Sequence, residues 1–178
     1  MTTFYFLIIF LLFLIMFLIT LILFIGYLLI FYEIKYKIPY VPSDKKLIKK
    51  LFRVYPFEKG KIFIDLGSGD GLVVFEAAKN GLIAYGYEIN PVLYYFSLLK
   101  KKIFKIEKAN FFRKDLKSVN LKDADYIYLY LLPKTLAEIE NKIFSEGKKE
   151  SKVICLDFRF PNKNFKEKIL DRFYIYEI

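Results

Sequence analysis

A chain of 178 residues has room for one domain, or for one domain with an appendage. Residues are 56% hydrophobic and 20% aromatic, yet the net charge is +10, and Met1 to Tyr32 contains no charged residue, so all of that charge lies beyond it. Histidine is absent, which excludes His-based triads, general bases and zinc ligands, and the single Cys155 excludes an internal disulfide and fits a reducing compartment.

Phe4 to Tyr32 is an almost unbroken run of Phe, Leu and Ile. As a helix at about 1.5 Å per residue it would be roughly 43 Å long, more than the ~30 Å hydrocarbon core requires. A secretory signal peptide would have a basic leader, a shorter apolar core and a small-residue cleavage site, and none of these is present. A buried core helix is rarely apolar on every face for so long. Residues 1–34 therefore read as a transmembrane anchor. No Lys or Arg precedes the span, whereas Lys35, Lys37, Lys45, Lys46, Lys49 and Lys50 come after it. The positive-inside rule places the N-terminus outside and the rest of the chain in the cytoplasm. Tyr27, Tyr32, Tyr36 and Tyr40 suit an interfacial belt, and the lysines would meet anionic headgroups. No nucleic-acid recognition module accompanies the basic charge, so a membrane is the expected partner rather than nucleic acid.

Residues 35–60 read as a linker and a covering helix. Pro39-Tyr40-Val41-Pro42-Ser43 separates the anchor from the rest of the chain, since two prolines cannot sit inside a helix. Ser43 suits the N-cap of a helix from Asp44 to about Val54. Leu47, Ile48, Leu51, Phe52 and Tyr55 form its apolar face, opposite Lys45, Lys46, Lys49, Lys50 and Arg53.

Residues 61–178 read as an α/β domain. Lys61 to Ile64 is a short buried strand, closed by Asp65. Gly67-Ser68-Gly69-Asp70-Gly71 then turns into a helix from Leu72 to Asn80. Glycines let the main chain approach a ligand closely, and the helix N-terminus behind them presents unpaired N–H groups. A dinucleotide fingerprint would need its third glycine at position 72, where this chain has Leu72. Asp65, two residues ahead of the first glycine, would repel a pyrophosphate but would pair with the ammonium of a sulfonium cofactor carrying an amino-acid tail. An ordinary glycine turn fits the loop equally well when it is taken alone.

Leu82 to Tyr87 is the second strand, with Glu88 at its end and Ile89-Asn90-Pro91 leading into a helix from about Val92 to Phe104. Glu88 lies 17 residues after Gly71, close to where such folds place an acid for ribose hydroxyls. A carboxylate there can accept from both hydroxyls at once. Ala109 to Arg113 is a third strand ending at Lys114-Asp115-Leu116, where an acid could accept from an adenine amino group. Ala124 to Leu131 is a fourth strand, ended by Leu132-Pro133 and followed by a helix from about Lys134 to Phe144. Lys152 to Phe158 is the fifth, and Phe165 to Ile169 with Phe173 to Ile178 suit a terminal hairpin.

Asp65 to Gly71, Glu88-Ile89-Asn90-Pro91, Lys114-Asp115-Leu116, Tyr130-Leu131-Leu132-Pro133 and Asp157-Phe158 occur in this order. Together with residues 39–43 they resemble a class I S-adenosylmethionine-dependent methyltransferase. The likeness is greatest to the membrane-anchored protein lysine methyltransferases acting on the adenine nucleotide translocator and the ATP synthase c subunit, with their prokaryotic relatives. It covers roughly positions 39 to 165. The resemblance implies a Rossmann-like sheet of seven mostly parallel strands with a reversed last strand. It implies S-adenosylmethionine as methyl donor and no metal. It assigns Asp65, Gly67, Ser68, Gly69, Gly71, Glu88, Asn90, Asp115 and Leu116 to the cofactor. It sets Tyr40, Pro42, Leu131, Leu132 and Pro133 beside the acceptor, with Asp70 and Tyr130 as candidate catalytic groups. The chain stops soon after the fifth strand, so the substrate-side wall built from C-terminal additions is expected to be thin. Three functions are consistent with these residues: a lysine methyltransferase for a membrane or membrane-adjacent protein, a methyltransferase for a lipid, quinone or other small molecule, and a non-catalytic cofactor-binding membrane protein.

Overall fold

The computed structural model describes residues 2–36 and 40–178. Lys37 of the lysine flank and Pro39 of the proline segment lie outside the described residues. The chain divides into an N-terminal unit, Met1–Tyr40, and a domain, Val41–Ile178.

The N-terminal unit is one helix, α1 (Thr2–Tyr36). Within it Phe4–Lys35, 32 residues with mean hydropathy 3.5, is the helix long and apolar enough to cross a membrane. Most of its apolar side chains are exposed, and Leu28 and Leu29 are half-buried.

The domain opens with α2 (Lys45–Val54). Its N-cap is Asp44 rather than Ser43: the Asp44 carboxylate accepts from the N–H groups of Lys46 and Leu47 at 2.7 and 3.3 Å. Both residues are good caps, and position relative to the first helical turn decides between them. Next come β1 (Ile62–Leu66), α3 (Leu72–Lys79), β2 (Ile83–Glu88), α4 (Pro91–Phe104) and β3 (Ala109–Arg113). After a 3₁₀ turn at Leu116–Ser118 come β4 (Tyr126–Leu129), α5 (Pro133–Glu146), β5 (Lys152–Leu156), β6 (Glu167–Ile169) and β7 (Phe173–Glu177).

The seven strands form one sheet in the order β3-β2-β1-β4-β5-β7-β6. β1 to β5 are mutually parallel, and β7 runs antiparallel to β5 and to β6. This is the seven-stranded, mostly parallel sheet with a reversed final strand that the resemblance implies. The central strands are buried on both faces, which is why β1, β4 and β5 are apolar runs without alternation. One face packs on α2 and α3 through Ile48, Leu51, Phe63, Val74 and Tyr128, with Tyr94 and Leu98 of α4 against it. The other packs on α5 through Ile64, Leu129, Leu136, Ile139 and Ile143.

The chain winds outward from β1 in one direction to β2 and β3, then returns to place β4 and β5 on the other side. Loops leaving β1 and β4 therefore diverge, and a crevice opens at the C-terminal strand ends, where open α/β sheets bind ligands.

Candidate active site

β1 continues one residue past Asp65, so this acid is part of the strand, in register with Gly86 of β2 and Tyr128 of β4. Three consecutive odd positions, Gly67, Gly69 and Gly71, then take positive φ values of 86°, 53° and 82°. A side chain at Gly71 would also be blocked, because its Cβ would lie 2.7 Å from the Phe111 ring. The N–H groups of Gly67 and Ser68 both donate to the Tyr87 carbonyl, at 2.9 and 3.0 Å. The loop is thus bound to the end of β2 before it enters α3.

That attachment needs Gly86. A Cβ there would lie 2.7 Å from Ser68 Oγ and 2.8 Å from Val74 Cγ2. The Ser68 hydroxyl accordingly sits beneath the loop, buried and, among the described residues, without a hydrogen bond. Glycine inside an otherwise β-branched and aromatic strand is the trace of this close approach in the sequence.

Glu88 ends β2 at 9% exposure. One carboxylate oxygen accepts from the Gly69 N–H and the other from the Asn90 N–H, both at 2.8 Å. Burial raises its pKa, and the amides of Asn90, Gly69 and Ile89 oppose that rise. A carboxylate has about four lone-pair sites, so the two amides fix its plane and leave an acceptor on each oxygen. Asn90 caps α4 by accepting from the Val92 N–H at 2.9 Å. The Lys114 N–H donates to the Glu88 carbonyl at 3.1 Å, bringing the segment after β3 beside this acid. There Asp115 caps the 3₁₀ turn through the Lys117 N–H at 2.9 Å, and Leu116 is buried beneath it.

Asp65 is different. It is 3% exposed, and among the described residues no hydrogen bond or ion pair meets its carboxylate. Its pKa is pushed well up by burial, then by the charges of Glu88 and Asp70. An ionised carboxylate without a partner is costly in such a place, so the site is matched to a ligand that brings a cation. Asp65 and the open acceptors of Glu88 together suit a molecule with an ammonium at one end and a ribose in its body.

Asp70 is engaged with the protein. One oxygen accepts from the Leu72 N–H at 3.2 Å and the other pairs with Lys100 Nζ at 2.5 Å. Lys100 also donates to the Asp70 carbonyl at 3.2 Å, and Ser97 Oγ of α4 lies 3.4 Å from the Gly69 carbonyl. These contacts tie the glycine loop to α4.

On the opposite wall, Leu131 is buried with its Cδ2 3.0 Å from where a Gly67 Cβ would stand, so it abuts the glycine loop. Leu132 is exposed and Pro133 starts α5. Tyr130 is half-buried at the end of β4, and its pKa is raised by burial and by Asp157, against the effect of Arg172. Arg172 holds Asp157 in a bidentate pair, Nε and Nη2 each 2.6 Å from a carboxylate oxygen. Tyr128 is 1% exposed, and among the described residues its hydroxyl lacks a hydrogen bond of normal geometry. Burial and then Asp65 raise its pKa, while neighbouring Ser43 lowers it. Asp44 acts in turn on Arg172. The segment holding Pro42, Ser43 and Asp44 therefore borders the ends of β4 and β5. Tyr40 groups with the N-terminal unit, where its backbone N–H donates to Glu33 at 3.1 Å.

The structure thus gathers Asp65, the glycine loop, Glu88, Asp115 and the Tyr130–Leu131 segment along one sheet edge. Sequence reasoning missed Gly86, Tyr128, Lys100 and the Arg172–Asp157 pair. Only Gly86 carries a local cue; the others become visible when distant segments meet.

The ANTKMT methyltransferase domain family matches residues 65–167, more than half of the chain. The human lysine N-methyltransferase of the ATP synthase c subunit is 31% identical over 126 residues, 70% of this chain and 54% of that protein. A protein-lysine N-methyltransferase of Saccharolobus islandicus is 26% identical over 140 residues, 74% of this chain and 84% of that one. The chain spans about half the length of the first of these curated relatives. An RNA methyltransferase of Salinibacter ruber, solved with S-adenosyl-L-homocysteine, superposes with a TM-score of 0.72. That match has 24% identity and covers 78% of this chain and 94% of the other, and it shows the fold. With its sheet order, glycine loop and matched span, this chain belongs to the ANTKMT methyltransferase domain family.

Proposed function

We propose that this chain is a membrane-anchored, S-adenosylmethionine-dependent methyltransferase acting on a lysine of a membrane or membrane-adjacent protein. The observation that carries the reading is Asp65, a buried carboxylate with no hydrogen-bond or ion-pair partner among the described residues, beside a Glu88 carboxylate whose orientation two backbone amides fix. Asp65 would hold the ammonium of the cofactor, Glu88 the ribose hydroxyls, and Asp115 the adenine amino group. When bound, the cofactor supplies an electrophilic methyl group on a sulfonium.

The chain's own residues have two tasks, alignment and deprotonation. Alignment supplies most of the acceleration, worth up to about 7–11 kcal/mol in favourable cases. Leu131 and the glycine loop form the wall against which the reacting groups are held. An acceptor lysine with a pKa near 10.4 is neutral about one time in a thousand at pH 7.4, a cost of roughly 4 kcal/mol. Placing the amine in a desolvated cleft next to a cation lowers that cost. The chain's part would be to let the amine lose its proton to water and to hold its lone pair in line with the methyl group that the cofactor would supply.

Tyr130 is suited to orient the amine, since Asp157 and Arg172 hold its surroundings and its hydroxyl stays protonated. Asp70, candidate for the same task, is occupied by Leu72 and Lys100, which supports a role in holding the loop. Phe4–Lys35 would keep enzyme and target on one membrane and raise their effective concentration, with the domain on the lysine-rich, cytoplasmic side. The protein substrates named for the relatives support a lysine acceptor. Membranes incubated with the full chain and methyl-tritiated cofactor test this reading. Label in a protein band, recovered as methyl-lysine after acid hydrolysis, is expected. Label confined to the organic extract would show a small-molecule acceptor, and binding without transfer would show a non-catalytic protein.

A further inference from the structure

Ten large hydrophobic residues of the Val41–Ile178 domain are exposed, and five of them, Tyr95, Phe96, Leu99, Ile103 and Phe104, lie on the 14-residue helix α4. Tyr95, Leu99 and Ile103 follow one another at i, i+4 and i+8 and form one stripe. They are 62%, 53% and 62% exposed, so the stripe faces away from the sheet. The core is met instead by Leu93 and Ser97, buried, and by Tyr94 and Leu98. α4 thus has two apolar faces, and the fold covers only one.

Charge borders the uncovered face. At about 100° per residue, Lys100 and Lys102 project on opposite sides of the Leu99–Ile103 line. Lys100 Nζ stands 4.6 Å from the Phe96 ring centroid. No acidic residue occurs from Pro91 to Ile106. Among the described residues neither Lys102 nor Lys105 has a carboxylate partner.

We infer that the outward face of α4 is a second membrane contact, lying in the interface of a bilayer that contains anionic lipid. An apolar stripe with lysines on its flanks is the composition of a helix that rests in the headgroup region, and anionic headgroups draw such lysines. Protein–protein interfaces are instead depleted of lysine, which disfavours a protein occupant. The N-terminus of α4 is capped by Asn90, two residues from Glu88, and Lys100 and Ser97 bind the glycine loop. Contact through α4 therefore sets the cofactor edge beside the membrane surface, where a lysine emerging from a bilayer would be met. The inference rests on the anchored reading above, and its test separates the two.

The test uses the full chain in phosphatidylcholine vesicles with and without 30% phosphatidylglycerol. Single thiols at Leu99→Cys, Ile103→Cys, Ser145→Cys and Phe13→Cys carry the fluorophore NBD; Cys155 is buried and its raised pKa keeps it unreactive. Exposed Ser145 lies on α5, on the other face of the sheet. Nitroxide lipids are expected to quench labels 99 and 103 at least twofold more than label 145, and more strongly with phosphatidylglycerol. Labels 99 and 103 quenched no more than 145 would overturn the inference. So would a blue shift at 99 and 103 that grows with protein concentration without nitroxide quenching, which marks a second copy on this face. Label 13 reports the span separately: its failure to quench refutes the anchor, whatever α4 does.

Discussion

At the scale of single residues, Asp65 is a buried acid whose pKa is pushed up by burial and by the neighbouring Glu88 and Asp70, an environment that a cationic ligand would suit. The folded-state pKa of Asp65 lies above its unfolded value, mainly through burial. Between those two values the folded state holds a proton that the unfolded state has lost, so this residue's contribution to stability falls as pH rises. Asp65→Asn should therefore stabilise the cofactor-free protein near neutral pH. Relief of an unpaired buried group is worth about 1–3 kcal/mol, read as a rise of about 2–4 °C in Tm per kcal/mol for a chain of this size. The same sign governs ligand binding. A bound cation would need Asp65 ionised, so cofactor affinity should fall as pH drops through the raised pKa of this residue, with proton release on binding around that pH that isothermal titration in two buffers would detect. At Glu88, a Gln substitution removes a charged acceptor from the proposed ribose site. Hydrogen bonds to charged groups contribute about 1.5–3 kcal/mol, so Glu88→Gln should weaken cofactor binding by about 10- to 100-fold.

At the scale of elements, the site is held by contacts between segments far apart in sequence. β2 reaches the glycine loop because Gly86 leaves room for Ser68 and Val74. Gly86→Ala should cost about 1–3 kcal/mol by overpacking and weaken cofactor binding together with Tm. Arg172 and Asp157 join the β6–β7 turn to the end of β5. Their pair is partly exposed and should contribute no more than about 1 kcal/mol. Arg172→Met should nonetheless lower the rate of methyl transfer several-fold at unchanged cofactor affinity, because it loosens the surroundings of Tyr130. A parallel loss of cofactor affinity would make the pair part of the cofactor site.

These elements also show what a sequence can carry. β3 was legible to the residue, since apolar pattern and flanking polar residues coincide at Ala109–Arg113. β4 reads as longer than its paired core, Tyr126–Leu129, because the apolar run continues through Tyr130 and Leu131 after pairing ends. Asp65 reads as a strand terminator, as acids usually are, yet it is buried within β1. The glycine loop and Glu88 are local and were readable. Lys100 on Asp70 and Arg172 on Asp157 are contacts across 30 and 15 residues, and nothing in local pattern specifies them.

At the scale of the molecule, an apolar helix without charge up to Tyr32 and a basic domain make two claims that can be separated. The full chain should stay with membranes through alkaline carbonate washing, as a span does, and a chain released by that wash would contradict the anchor. The central claim is the cofactor site, and Asp65 bears most of it. Isothermal titration of S-adenosylmethionine into the detergent-solubilised full chain and its Asp65→Asn variant tests it most directly. The account predicts saturable binding at neutral pH by the native chain and at least a hundredfold loss in the variant, with a Tm at or above the native value. Native-like affinity in a folded Asp65→Asn variant would contradict it.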